Sequence, residues 1–129
     1  MRLGTLLAAV VAATLMAPAL AAQAPRDSLP NGVTAERIAR GRDLFLGAGL
    51  CMACHGADAK GAVGPDLTDT LWQHHKGSYE EIYAQLVRGI PAEESKSGTL
   101  MPPRGGSSLT DDELRAVAAY VWSLSRRKT

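Results

Sequence analysis

Cysteine is close to absent from this 129-residue chain: Cys51 and Cys54 are its only two, and they stand two residues apart. That count excludes a disulfide scaffold, because a bridge across so short a loop adds little stability, and it excludes a four-cysteine zinc site. Aromatic residues are also few, with one Phe, two Trp and three Tyr, so the side chains alone offer little bulk for a core. An excess of charge of one sign is missing too. The chain has 14 Lys and Arg against 13 Asp and Glu, a formal net charge of +1, which leaves no concentrated basic face and no nucleic-acid partner to expect. No strand-like alternation and no internal repeat is present, so the chain reads as all-α.

Long hydrophobic runs are lacking as well. The longest, Leu3 to Met16, follows Arg2 and falls short of the roughly 20 residues that cross a bilayer. Small residues follow it at Ala19-Leu20-Ala21 and Ala22-Gln23-Ala24, so residues 1–24 have the form of a secretory signal peptide with an A-x-A cleavage site. The expectation is an exported, periplasmic protein, monomeric and not membrane-anchored. Residues 25–33, with Pro25, Pro30 and Asn31-Gly32, read as a flexible leader, and residues 34–129 as one domain.

The neighbours of the two cysteines decide what they do. Cys51-Met52-Ala53-Cys54-His55 has the C-x-x-C-H order of a c-type haem attachment sequence. In such a sequence each thiol adds to one porphyrin vinyl group, and the histidine that follows reaches the iron from one face. A redox dithiol, or a zinc site recruiting His74 and His75, are the competing uses. The dithiol belongs at a strand-to-helix turn, and no strand-helix alternation surrounds these residues. One motif implies one haem. A mature chain of about 105 residues builds only a modest core, and a buried porphyrin would supply the apolar volume that the scarce aromatics do not.

Three helices are signalled clearly. Thr34 is placed to cap the first, whose stripe includes Ile38, Leu44 and Phe45. Gly41 lies inside it, at a cost of about 1 kcal/mol against alanine, and calls for another backbone crossing closely. Ser78-Tyr79-Glu80-Glu81 is a capping box opening a second helix, with Ile82, Tyr83, Leu86 and Val87 on its apolar side and Gly89 near its end. Thr110-Asp111-Asp112-Glu113 opens the last, with Leu114, Val117, Ala118, Val121 and Leu124 on one stripe. Between these lie a glycine-rich loop after His55, a short helical turn expected around Trp72, His74 and His75, and the stiffened segment Thr99-Leu100-Met101-Pro102-Pro103.

In this order the elements resemble a class I cytochrome c over about Thr34 to Ser125. The resemblance implies a cytochrome c fold, three to five helices wrapped around one covalently attached haem c, with Gly41 and Phe45 meeting Val117 and Tyr120 where the first and last helices cross. It also implies that Pro65, within Gly64-Pro65-Asp66-Leu67, accepts a hydrogen bond from the His55 ring through its carbonyl. Met52 and Met101 are the only methionines behind the leader. Met52 is tethered beside His55, whereas Met101 occupies the position of the family's methionine ligand. His74 or His75 would be the alternative, giving a bis-histidine haem. The expected cofactor residues are therefore Cys51, Cys54, His55, Pro65 and Met101, with His55 and Met101 on the iron.

A haem iron closed on both faces implies electron transfer rather than catalysis, and no acid, base or nucleophile accompanies the motif. The expected function is a periplasmic one-electron carrier cycling between Fe(III) and Fe(II), with redox proteins as its weakly bound partners. The alternatives are a cytochrome subunit of a periplasmic dehydrogenase or oxidase complex, and a gas-binding or peroxidatic haem protein with an open sixth position.

Overall fold

The computed structural model describes residues 29–126. The signal sequence expected at 1–24, the first part of the leader and the last three residues lie outside the described residues. Four helices carry the fold: α1 (Ala35–Leu46), α2 (Met52–His55), α3 (Tyr79–Arg88) and α4 (Asp111–Leu124). Among the described residues no strand forms, and the one β-type contact is an isolated antiparallel bridge between Ile90 and Met101.

The helix starts follow from the caps. Thr34 Oγ1 accepts the Arg37 N–H at 3.1 Å, and Ser78 and Thr110 each form a complete capping box with the glutamate three residues on. Hydrogen bonds from Ser78 and Thr110 hold the Glu81 and Glu113 carboxyls below their usual range, so both caps are charged at neutral pH. Gly89 ends α3 at φ 72°, a conformation that suits glycine.

The crossing of α1 and α4 is the centre of the fold. A Cβ on Gly41 would collide with the backbone carbonyl of Ala116 and stand 2.9 Å from the Tyr120 Cβ. One turn on, the Phe45 ring meets Tyr120 edge-on at 5.4 Å between centroids. The expected glycine–aromatic contact is therefore present, with Ala116 as the residue directly opposite Gly41. Phe45, Leu114 and Val117 are the largest fully buried side chains, and Ala116, Ala118 and Ala119 let the helices approach. At the rim, Arg37 and Arg40 both reach Asp112 at 2.8 Å. Such exposed pairs contribute little stability.

The packed unit reaches back to Val33, which is buried and whose N–H donates to Pro30 O at 2.9 Å. The helical turn expected around Trp72 does not form; the segment is a series of bends. Its side chains take the local backbone donors instead. Asp69 Oδ1 accepts from Leu71 N at 2.9 Å, and His75 Nδ1 from Gly77 N at 2.9 Å, so the donors that would begin a helix are already bonded.

Candidate haem site

The attachment residues sit on the shortest helix. Cys51 is the N-cap of α2, its thiol donating to Gly49 O at 3.3 Å, and Cys54 is exposed. Burial pushes the Cys51 thiol up to about 11, so the group stays protonated at neutral pH. His55 ends α2 and is the only buried polar or charged residue among those described.

The loop after His55 folds back on α2 and fixes the imidazole. Val63 and Gly64 both donate to Cys54 O, at 3.0 and 2.8 Å, and Gly61 donates to His55 O at 2.8 Å. This brings the Pro65 carbonyl to 3.0 Å from His55 Nδ1. A carbonyl can only accept, so the proton is on Nδ1, and the Nε2 lone pair remains for a metal. Burial lowers the His55 pKa, outweighing the Pro65 bond that raises it, so the ring is neutral at pH 7, the form that ligates. Gly64 is as close as Pro65: a Cβ there would stand 2.8 Å from His55 Cε1 and 2.9 Å from Nδ1. Gly64→Ala should therefore tilt the ring off the Pro65 carbonyl and cost about 1–3 kcal/mol, read as a lower denaturant midpoint at unchanged slope.

The same side of α2 opens on a cavity of about 640 Å³, inside the roughly 300–1,000 Å³ typical of cofactor sites. Cys51, Cys54, His55, Pro65 and Met101 all line it, together with apolar side chains from α1 (Phe45), α3 (Ile82, Leu86) and α4 (Val117, Val121). A large apolar slot with two thiols at one side, a neutral imidazole with a free Nε2 and a thioether matches the donor set a c-type haem requires. The zinc alternative has no such match, since among the described residues no three His, Cys, Asp or Glu side chains converge. His74 and His75 line the cavity too. His75 stacks on Trp72 at 4.9 Å and has Nδ1 occupied by Gly77.

Sequence reasoning missed three parts of the site. The bridge between Ile90 and Met101, with N···O distances of 2.8 and 2.9 Å, fixes the backbone of the methionine segment. Gly89 lets that segment lie on the end of α3, since a Cβ there would be 2.5 Å from Met101 O. Gly64 is the third. Its place in Gly64-Pro65-Asp66-Leu67 was the available signal; a single bridge has no periodicity to read.

Fold and site together define a class I c-type cytochrome domain, a monohaem electron-transfer domain with covalently bound haem c. Residues 36–121 match the family model described as cytochrome C oxidase, cbb3-type, subunit III, and the chain belongs to that family. It is 38% identical over 91 residues to the cbb3-type cytochrome c oxidase subunit CcoP of Rubrivivax gelatinosus, covering 70% of this chain and 27% of that protein. With the CcoP subunit of Azospirillum brasilense it shares 35% identity over 118 residues, 86% of this chain and 39% of the relative. The chain thus spans well under half the length of these relatives. Among solved structures, cytochrome CL of Methylophaga aminisulfidivorans MPT superposes with a TM-score of 0.55 at 29% identity, over 69% of this chain and 53% of that one.

These relatives correct one expectation. A monomer without a membrane anchor does not stand against them, because the CcoP and FixP relatives are subunits of cbb3-type cytochrome c oxidases. Among the described residues no helix is long and apolar enough to cross a membrane.

Proposed function

We propose that this chain is the electron-relaying cytochrome c subunit of a respiratory oxidase complex, positioned on the periplasmic side. The alignment with CcoP along most of the chain carries this reading over that of a free carrier. Haem c supplies a one-electron Fe(III)/Fe(II) couple when bound. Cys51 and Cys54 would hold it through thioethers, His55 Nε2 and the Met101 thioether would be its iron ligands, and Pro65 orients the imidazole and would raise its basicity. Thioether ligation and the apolar walls both favour the ferrous state, and so raise the potential. The imidazole is already held in place by its own loop, so little has to move when the charge changes. That small reorganisation is what a relay needs.

Potentiometric titration of the purified holoprotein, followed by visible absorption, tests the chemistry, and pull-down from solubilised membranes tests the context. The expected results are a covalent c-type spectrum, a single one-electron wave and stoichiometric recovery with oxidase subunits. Rapid carbon monoxide binding to the reduced protein at neutral pH would instead indicate an open sixth position, and recovery of the chain alone would remove the oxidase assignment.

A further inference from the structure

Downstream of Met101 the chain forms a single 3-10 turn, Pro103–Gly106, closed on itself by Gly105 N donating to Pro102 O at 3.0 Å, and little in the turn's own backbone ties it to the rest of the fold. Pro102 and Pro103 have no N–H to donate, and Gly105 and Gly106 have no side chain and lie at φ 66° and 75°. Between them Arg104 sits in the left-handed region at φ 58°, a conformation that costs a non-glycine residue roughly 1–2 kcal/mol. An arginine in that position calls for a compensating contact, and the side chain provides one. Its Nε donates to Leu109 O at 3.1 Å, and its terminal nitrogen bonds the same carbonyl and reaches Asp111 Oδ1 at 2.9 Å. Leu109 is buried and Asp111 is the first residue of α4, so both anchors are fixed in the fold. The Arg104 carbonyl in turn accepts from Ser107 N at 3.1 Å and Ser107 Oγ at 2.7 Å.

We infer that Arg104 is a positioning residue for Met101: it straps the tail of the methionine segment to the start of α4, as the Ile90 bridge holds its head. Met101 is then clamped on both sides, upstream by two backbone hydrogen bonds and downstream by a turn that the Arg104 guanidinium ties to Leu109 and α4. The strapped turn also abuts the attachment motif, since a Cβ on Gly105 would stand 3.0 Å from Gly49 O, two residues before Cys51. The two ends of the clamp differ in kind. The Ile90 bridge is indifferent to side chains, whereas the link from the downstream turn to the start of α4 runs through the Arg104 side chain.

The inference rests on Met101 being the distal ligand, and the experiment separates the two claims. The ferric wild-type holoprotein is titrated with alkali while the thioether-to-iron absorption is followed, beside Arg104→Gly and Arg104→Lys; helical circular dichroism checks the fold. Glycine relieves the left-handed backbone and removes the strap, so the fold is retained while the equilibrium for losing the absorption shifts by about tenfold, the low end for hydrogen bonds from a charged, partly exposed donor. That is a midpoint lower by about one pH unit. Lysine keeps the charge without the planar fork and falls between glycine and wild type. Carbon monoxide binding to the ferrous variants rises in the same order. Variants that keep the wild-type midpoint and carbon monoxide rate overturn the role of Arg104 while leaving Met101 as the ligand. A wild-type protein with no thioether absorption overturns both.

Discussion

Replacing Met101 with alanine should abolish the thioether-to-iron absorption, lower the reduction potential by on the order of 0.1–0.2 V, and open the ferrous protein to carbon monoxide. The size follows from the span of about 0.8 V that axial ligands cover, of which exchanging a soft thioether for water or a harder ligand uses a part. Each 59 mV is tenfold in the one-electron equilibrium, so a fall of this size makes the protein a poorer acceptor by roughly 1.7 to 3.4 powers of ten. The fold should survive. Met101 holds its place through its own backbone, N–H to Ile90 O and C=O to Ile90 N–H, and both bonds are independent of its side chain. The loss is therefore electronic before it is structural, and helical circular dichroism of the variant should match the parent. His74 and His75 supply the contrary outcome, since both line the cavity. If either were the distal ligand, Met101→Ala would leave spectrum and potential close to the parent's.

The parts of this molecule that sequence makes visible are those whose signal is local. Thr34, Ser78 and Thr110 start helices because each side chain bonds the N–H three residues ahead, a relation readable from spacing alone. The C-x-x-C-H order is similarly self-contained, and the cavity lies where it places His55. The Pro65 contact is reached only through family resemblance, because a Gly-Pro pair otherwise reads as a turn; the carbonyl at 3.0 Å from Nδ1 then agrees with it. What stays hidden depends on pairing across distance. Ile90 and Met101 face each other across ten intervening residues without a strand pattern, and Arg104 adopts a glycine-like backbone that its side chain alone justifies. The bends around Trp72, His74 and His75 defeat the expected helical turn for a related reason: Asp69 Oδ1 takes Leu71 N at 2.9 Å and His75 Nδ1 takes Gly77 N at 2.9 Å, local side-chain bonds that outcompete the helical ladder.

The second large effect concerns the fold rather than the iron. Gly41→Ala should lower stability by about 3 kcal/mol or more, because the added methyl has no side chain to push aside. It meets the backbone carbonyl of Ala116, fixed inside the hydrogen-bonded ladder of α4, and the Tyr120 Cβ at 2.9 Å. For a domain of this size each kcal/mol moves the unfolding temperature by about 4–8 °C, so a fall of more than about 10 °C is expected. A second substitution separates this cause from ordinary overpacking. Ala116→Gly removes a neighbouring methyl but leaves the obstructing carbonyl, so the double variant Gly41→Ala/Ala116→Gly should recover nothing. Recovery by the double variant, or an unfolding temperature for Gly41→Ala within about 2 °C of the parent, would mean that the helices slide apart at little cost. The crossing also reaches the haem site. Phe45, one turn beyond Gly41, lines the cavity and stands 6.5 Å from the His55 ring, and Val117, next to Ala116, forms another part of the wall. Forcing α1 off α4 widens the slot and admits water, which stabilises the ferric charge. A Gly41→Ala holoprotein that still folds should therefore have a lower potential with its thioether absorption and alkaline midpoint intact, whereas an Arg104 variant is told apart by its lowered alkaline midpoint.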